Sequence, residues 1–577
     1  MDNKRIADTF DQIADLLEFQ GANPFRIRAY RNGARTVRDL TDSVATIIAD
    51  DSRDLTEVGG IGKDLAAKCA ELVDTGSLEM MNELLSEIPG SVLDLLRIPG
   101  LGPKKAAVLF KELGIQTLDG LEEACQSGEV AKLKGFGKKT EDTLLKGIAF
   151  AATANQRIYW SEADVLVGRL REHLEQTSGM EQLEFAGSYR RGRETVGDLD
   201  ILVVANDSTD VMDCLQDFEE IADTLVRGET KMSVRLESGL QVDLRVVPAE
   251  SFGAALQYFT GSKDHNVLVR GEAKRQGLKI NEYGVYRNEA GKDVGISGAD
   301  EEGVYRALGM PWFPPELREA RQEFRWAEED ALPELVGLDD IRGDLHMHTN
   351  ATDGRGTIEE MVTAAQSRGL QYIAITDHSK RVSMARGLDA ERVLAQWSEI
   401  DRINEQLDGE FKLLKGIECD ILEEGGMDLP DKVLAQADWV LASVHYGQKQ
   451  PRDKITCRIV GAIENPHVSA IAHPTGRLIN RREPYDVDME AVLQAAAEHH
   501  TLLELNANPA RLDLNDVHCA AAKAKGIPIT INTDAHSIEG LDVMRCGIMQ
   551  ARRGGLTATD VANTMAWADL RALLRRG

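Results

Sequence analysis

A chain of 577 residues is too long for one hydrophobic core and predicts two to four domains. Its 42% hydrophobic content describes an ordinary globular protein, and no apolar run approaches the roughly 18 residues that cross a membrane. Seven cysteines without a C-x-x-C pair argue against a disulfide framework or a zinc ribbon and fit a reducing cytoplasm, while a net charge of -29 weighs against a nucleic-acid binder.

The opening stretch, MDNKRIADTFDQIADLLEF, has apolar residues at helical spacing and acids throughout, so it reads as a folded helix and not as a signal peptide. Residues 1–160 carry 20 basic and 25 acidic side chains, so most of the excess acid lies further along. Arg26, Arg28, Arg31, Arg35 and Arg38 fall within 13 residues, and Lys132, Lys134, Lys138 and Lys139 within eight. Phosphate binding depends on local potential within about one Debye length, roughly 8–10 Å, so these clusters keep nucleic acid in view.

Three segments share one pattern: EVGGIGKDLAAK, RIPGLGPKKAAVLF and LKGFGKKTEDTLL. Each places G-x-G between a hydrophobic residue and an amphipathic helix, as Gly60/Gly62, Gly100/Gly102 and Gly135/Gly137. Glycines permit the tight turn and let backbone N–H groups approach an anion at a helix N-terminus. One copy reads equally as a plain helix-helix turn. Three copies, spaced by 40 and 35 residues, resemble helix-hairpin-helix motifs, which grip the DNA backbone without reading sequence. Lys68 follows the first hairpin, and its position alone reads as a solvated helix lysine.

EFAGSYRRGRETVGDLDILVV then sets Asp198 and Asp200 two apart at the start of an apolar strand, so both carboxylates leave one sheet face. Asp243 sits in a second short strand, LQVDLRVVP. Three like charges on one face repel unless cations are bound, and two Mg²⁺ ions would hold them for in-line attack on a phosphoryl group. The Gly187–Ser188 turn, with Arg190 and Arg191, offers amides, a hydroxyl and guanidinium forks to a triphosphate.

G-S-Y-R-R-G, G-D-L-D and V-D-L-R, continued in ALQYFTGSKDHNVLVR and INEYGVY, resemble the family X DNA polymerases, the group of DNA polymerase beta, over about residues 1–310. The resemblance implies metal-binding catalytic carboxylates at Asp198, Asp200 and Asp243 and triphosphate contacts at Ser188, Arg191 and Gly197. It also implies sugar and base contacts at Tyr258, Phe259, Gly261 and Asn266, with Arg270 lining the minor groove. Arg26, Tyr30 and Lys68 match the family's 5′-deoxyribose-phosphate pocket, where a lysine is the lyase nucleophile. Asp64 departs from that pattern, standing where the family has a phosphate-binding lysine.

Beyond a Pro- and Glu-rich connector, apolar strands alternate with helices, which predicts an α/β barrel. Strand-like segments DLHMHTNATDG, AITDHS, GIECDIL, LASVHY, AIAHPTG and ITINTDAH end on His346, His348, Asp353, His378, Glu418, His445, His473, Asp534 and His536, which take up six of the 12 histidines. Barrel ligands sit at strand C-terminal ends. Imidazole mixed with carboxylate suits Mn²⁺, Zn²⁺ or iron, and such a cluster activates water for hydrolysis. His173, His467, His499, His500 and His518 read as surface or core. The nine residues resemble the polymerase and histidinol phosphatase (PHP) domain, which implies a distorted (β/α)₇ barrel holding up to three Mn²⁺ or Zn²⁺ ions. Arg477, Glu504 and Asn506 are candidates for substrate contact or for barrel support.

The expected architecture is multidomain: an all-α front, an α+β nucleotidyltransferase and an α/β barrel. Boundaries fall at residues 1–82 (lyase-like domain with the first hairpin), 83–155 (helix-hairpin-helix subdomain), 156–247 (palm), 248–312 (thumb), 313–338 (linker) and 339–577 (PHP). The order resembles bacterial family X polymerases. It implies a cytoplasmic, nucleoid-associated monomer that fills gaps in base-excision repair on gapped or nicked DNA with dNTPs, with a 3′–5′ exonuclease and an abasic-site or 3′-end-cleaning activity. Two other readings stand beside it: a DNA binder whose barrel is a small-molecule phosphatase, and a scaffold for repair proteins. The intact carboxylate set argues against the scaffold.

Overall fold

The computed structural model describes residues 3–574 apart from 41, 51, 96–97, 99–100, 139, 142–143, 146–156, 290, 408 and 410, so Gly100 of the second hairpin and Lys139 of the third lie outside the described residues. The chain divides into two units, Met1–Gln156 and Arg157–Gly577. None of the helices among the described residues is long and apolar enough to cross a membrane.

The first unit is helical. Its helix α1 (Asn3–Gln20) buries Ile6, Phe10, Ile13, Leu16 and Leu17, the stripe that a 3.6-residue period places on one face. Helix α2 (Pro24–Asp39) starts at Asn23, whose side chain accepts from the Phe25 amide at 2.9 Å, with Pro24 preset for the first turn. Two arginines of the predicted basic cluster face the acids of α1: Arg31 meets Asp15 at 2.5 Å, and Arg38 meets Asp8 and Asp11 at 2.9 and 2.8 Å. The helices α3 (Val44–Ala49), α4 (Lys63–Thr75), α5 (Glu79–Glu87), α6 (Val92–Leu95), α7 (Pro103–Leu113) and α8 (Leu118–Gln126) complete one core that includes Tyr30, Leu65, Cys69, Leu72 and Leu109.

The second unit opens with a two-stranded ribbon of β1 (Ile158–Tyr159) and β3 (Thr195–Val196). Beside it lies a five-stranded sheet in the order β2 (Met180–Phe185), β4 (Asp198–Ala205), β7 (Gln241–Val246), β6 (Lys231–Leu236) and β5 (Ile221–Arg227). Strands β4 and β7 are parallel and the other neighbours antiparallel. Leu199, Ile201 and Val203 of β4 join a core with Leu166, Leu170 and Leu215, while Leu202 and Val204 pack with Phe252, Ala255 and Leu256. Burial on both faces explains the unbroken apolar run Ile201–Val204. A three-stranded antiparallel sheet follows, β8 (Leu278–Asn281), β9 (Gly284–Glu289) and β10 (Lys292–Ser297).

The connector after this sheet is packed and not a free spacer. Arg318 is fully buried, donating to the Phe313 carbonyl at 2.9 and 2.7 Å and to Glu301 at 2.6 Å. Glu323 is buried as well, accepting from the amides of Ala320 and Arg321 at 2.7 and 2.8 Å and lying 3.0 Å from His265 Nδ1.

Seven parallel strands then run in strict chain order: β11 (Gly343–Asp344), β12 (Tyr372–Ile375), β13 (Lys412–Asp420), β14 (Trp439–Ser443), β15 (Ala470–Ile471), β16 (Leu502–Asn506) and β17 (Ile529–Asn532). Helices between them cover an outer core of Ile, Leu and Val, giving the expected α/β barrel in nearly closed form. The seam between β11 and β17 is bridged by the side chain of Asn563. Its Nδ2 donates to the carbonyls of Gly343 and Ile531 at 2.8 and 2.6 Å, and its Oδ1 accepts from the Ile531 amide at 3.0 Å.

Candidate active sites

In the helical unit, Gly60 and Gly135 take φ of +95° and +90°, the left-handed region where a side chain is strained. Gly62 and Gly102 are the N-caps of α4 and α7, and neither helix start has a side-chain cap. Gly137 accepts from the Thr140 and Glu141 amides at 2.8 and 3.0 Å, so it starts a third helical turn in the same manner. A Cβ added at Gly62, Gly102, Gly135 or Gly137 would meet open space. Uncapped N–H groups at open helix starts are what a backbone phosphate needs.

Lys68 lies on α4 with its Nζ 2.5 Å from Asp64. Burial lowers the Lys68 pKa, but the bonds to Asp64 and Tyr30 outweigh it and hold the amine above its ordinary value. A Schiff-base nucleophile needs the opposite shift. Tyr30 is buried, and its hydroxyl and the Arg26 guanidinium both reach the Met80 sulfur, at 3.0 and 3.5 Å.

On the five-stranded sheet, Asp200 and Asp243 are direct neighbours across the parallel pair, and Asp198 precedes Asp200 on the same face. Burial first, then the charges of Asp198 and Asp243, push the Asp200 carboxyl up to about 7. Asp243 accepts from Ser233 and from Gln241 at 2.9 Å, with Lys231 3.7 Å away. A carboxyl that far from its normal range beside two others is the electrostatic mark of a cation site. Gly187, at φ +66°, lies against it, since a Cβ there would stand 2.6 Å from Asp200 Oδ2.

The adjoining turn (187–191) carries Ser188, whose buried hydroxyl has no hydrogen-bond partner. Arg191 donates through Nε to Glu319 at 3.1 Å and through Nη1 to the Thr260 carbonyl at 2.5 Å. Arg190 is fully engaged elsewhere, in a two-pronged pair with Glu301 at 2.7 and 2.9 Å, so it is not the open fork expected for a triphosphate. A Cβ at Gly197 would meet the Arg157 guanidinium at 2.7 Å, and one at Gly261 would meet Arg191 Nη1 at 3.3 Å. The structure thus brings Gly261 to Arg191. Tyr258 and Phe259 are half-buried and edge-to-face at 5.0 Å, with Arg270 over the Tyr258 ring and Arg245 over the Phe259 ring. The Asn266 amide is turned inward, donating to the Tyr258 carbonyl and accepting from Gln257, both at 2.8 Å.

All nine predicted barrel residues converge. Three groups could each hold a cation: His348, Asp353, His378 and His536; His346, His348 and Asp534; and His378, Glu418 and His445, with ligand atoms in each group within 4.8 Å of one another. Glu418 stands at the centre, 3.6 Å from His346, 2.7 Å from His378, 3.4 Å from His445 and 3.0 Å from His473. His348 Nδ1 is buried with no hydrogen-bond partner, while His378 Nδ1 and His473 Nε2 both face Glu418. Imidazoles and carboxylates crowded so closely on one space fit a metal cluster.

The charges agree. Burial, with His378 and His536 nearby, drops the His348 imidazole to about 4, whereas Glu418 and Asp353 overcome burial and lift His378 to about 10. Outer partners fix the rings: His346 Nδ1 meets Glu504 at 2.6 Å, and His445 Nδ1 meets Asp420 at 3.0 Å, which leaves each Nε2 for the cluster. His473 and Asp534 hold left-handed backbones, φ +30° and +54°. Non-glycine residues kept there point to a functional constraint.

Glu504 and Asn506 are therefore barrel support and not substrate contacts. Both are fully buried, Glu504 behind His346 and Asn506 donating to Glu504 and Asp534 at 3.2 and 3.1 Å. Arg477 is likewise turned away, donating to Glu194 at 2.5 Å and to the Leu512 carbonyl. Sequence reading missed Arg511, which lines a cavity of about 410 Å³ together with Asp353, His378, Glu418, His473 and Asp534. It follows the ELNANP segment, after a strand that ends among the ligand strands, and that placement was the available signal.

The chain matches a helix-hairpin-helix domain over residues 1–78 and a SAM-like helix-hairpin-helix tandem over 92–149. It matches the DNA polymerase beta palm over 157–254, the DNA polymerase beta thumb over 255–319 and a PHP domain over 344–511. It is 40% identical over 578 aligned residues to the DNA polymerase/3′-5′ exonuclease PolX of Bacillus subtilis (strain 168), covering 100% of both chains. Shorter relatives match part of it. A probable phosphatase of Thermoanaerobacter sp. (strain X514) is 32% identical over 232 residues, 38% of this chain and 89% of its own. A probable phosphatase of Acetivibrio thermocellus is 31% identical over 202 residues, 33% of this chain and 78% of its own. Full-length identity, with polymerase palm and thumb ahead of a PHP barrel, places the chain in the PolX family, the family X polymerases with a C-terminal PHP domain.

Proposed function

We propose that this chain is a template-directed DNA polymerase that fills short gaps during base-excision repair and trims 3′ ends with a 3′–5′ exonuclease in its barrel. The observation that carries the reading is two separate cation-type sites in one unit, the Asp198/Asp200/Asp243 face and the cluster around Glu418, eight residues in cation-type groups with His473 against Glu418. Its partners are gapped or nicked duplex DNA and dNTPs, and it works as a cytoplasmic, nucleoid-associated monomer. The domain limits given by the sequence are kept, with residues 313–338 as a packed strap.

In the polymerase site, Asp198, Asp200 and Asp243 would hold two Mg²⁺ ions, which would supply charge neutralisation at the triphosphate and a more acidic primer 3′-hydroxyl. Ser188, Arg191 and the amides beside Gly197 bind the triphosphate. Tyr258, Phe259 and Gly261 shape the sugar pocket, Asn266 holds its helix in place through Tyr258, and Arg270 lies along the minor groove. In the barrel the nine residues would hold up to three Mn²⁺ or Zn²⁺ ions, which would supply activated water and Lewis acidity. Arg511 orients the scissile phosphate, and Glu504 and Asp420 keep His346 and His445 in the correct tautomer. The hairpins at Gly60/Gly62, Gly100/Gly102 and Gly135/Gly137 hold backbone phosphates, which anchors the DNA. The same barrel chemistry extends to abasic-site cleavage and 3′-end cleaning.

The test is a labelled one-nucleotide-gapped duplex with Mn²⁺, with and without dNTPs. Extension with dNTPs and shortening without them is expected. Asp200→Ala should abolish the first only, and His346→Ala the second only. A mutant that lost both activities would sink the two-site reading. Phosphate release from small monoesters with no action on DNA would move the barrel to a small-molecule phosphatase; the shorter relatives carry the name probable phosphatase.

A further inference from the structure

The turn that carries Ser188 and Arg191 is built against the barrel. Arg553, fully buried on the barrel helix (Met544–Arg553), donates through Nη1 to the Arg191 carbonyl at 2.8 Å and to Glu319 at 2.9 Å, and through Nη2 to Asp516 at 2.7 Å. Glu319, from the strap, in turn accepts from Arg191 Nε. Arg321 reaches the same Asp516 at 3.1 Å, and Arg193 lies 3.8 Å from Glu319. Next to this cluster, a Cβ at Gly192 would stand 2.5 Å from Met549 of the barrel helix. Backbone and side chain of Arg191 are thus both fixed by groups outside the polymerase sheet.

The charges make the arrangement a specific one. Arg191, Arg193 and Arg553 gather at Glu319, and Arg321 and Arg553 at Asp516. Burial opposes ionisation of Glu319, yet Arg553 and Arg191 hold its carboxyl down at about 2. A buried guanidinium with two positions taken presents the third in a fixed direction, and Arg191 Nη2 has no partner among the described residues. A guanidinium held rigidly at a turn with an orphaned hydroxyl is preorganised for a polyanion.

We propose that Arg553 of the PHP barrel, acting through Glu319 and the Arg191 carbonyl, is a positioning residue for nucleotide binding in the polymerase site, so that gap filling depends on a barrel residue outside the metal cluster. This rests on the reading of Arg191 as a triphosphate contact. The test uses the full chain and measures single-nucleotide gap filling, exonuclease activity on single-stranded DNA and thermal melting for Arg553→Met, Arg553→Lys, Glu319→Gln and Arg191→Met. Arg553→Met should raise the KM for dNTP about tenfold, the loss of one charged hydrogen bond, while kcat changes little and the exonuclease stays intact. Arg553→Lys, which keeps the charge but loses the fork, should recover part of the KM. If Arg553→Met unfolds the barrel, Glu319→Gln on the strap carries the test, with the same rise in KM expected. An unchanged KM in Arg553→Met, or in Glu319→Gln where the former does not fold, while Arg191→Met raises it, would overturn the proposal and leave the triphosphate reading standing. An unchanged KM in Arg191→Met would overturn both.

Discussion

At Asp200, burial and the neighbouring Asp198 and Asp243 hold the carboxyl at about 7 in the metal-free protein. The unfolded chain has it near 4, so the folded state carries a penalty that is absent below about pH 4, grows as pH rises and is complete above 7. At 1.36 kcal/mol per unit the upper bound is about 4 kcal/mol. Asp200→Asn should therefore melt at a higher temperature than wild type in EDTA at pH 8, with the gap shrinking toward pH 5. Mg²⁺ should raise the melting temperature of wild type and not of the variant. Identical melting of the two proteins in EDTA at pH 8 would contradict this electrostatic account. At Lys68 the ion pair with Asp64 restrains the amine. Asp64→Asn should increase borohydride trapping of the protein on DNA with a 5′-deoxyribose phosphate, and Lys68→Ala should remove it. Equal trapping by wild type and Asp64→Asn would show that Asp64 is no brake. In the barrel, Glu504→Ala removes the acceptor of His346 Nδ1, and a loss of about 10–100-fold in exonuclease rate is expected, as for other outer ligands. Activity within twofold of wild type would show that the ring is held in some other way.

Among the elements, β4 and the barrel strands were readable because their chemistry is local. Asp198 and Asp200 are fixed by strand alternation, and the barrel ligands recur at the ends of apolar strands in a single chain order. The pairing within the basic stretch of α2 was not legible because its partners lie on α1: Asp8, Asp11 and Asp15 take up Arg31 and Arg38, and nothing within α2 announces them. Nor does the connector, dense in Pro and Glu, announce that Glu301 and His265 supply partners for Arg318 and Glu323. Arg190 and Arg191 look alike in sequence, and only tertiary contacts separate one bound by Glu301 from one aimed by Glu319. The hairpins give a prediction at this scale. Gly135→Val puts a β-branched side chain at φ +90°, so it should weaken DNA binding several-fold and lower the salt dependence of the KM for DNA, while hydrolysis of a small chromogenic phosphodiester continues. Parallel loss on both substrates would remove the hairpin from DNA binding.

For the whole molecule, a net charge of -29 coexists with a polymerase fold because positive charge is gathered locally, as in the guanidinium cluster of Arg191, Arg193, Arg321 and Arg553. Chelation should silence both activities together, and the metal that restores each should differ, Mg²⁺ sufficing for extension and Mn²⁺ or Zn²⁺ being needed for shortening. Restoration of both by Mg²⁺ alone would remove the assignment of a softer metal to the barrel. The Asn563 bridge across the β11–β17 seam has a consequence for how the protein is made. Asn563 follows every one of the nine ligands in the chain, and synthesis runs from the N-terminus. On the ribosome the polymerase sheet is complete while the barrel is still an open arc, so the turn that carries Arg191 should wait for Arg553, and with it for almost the whole chain, before its support is in place.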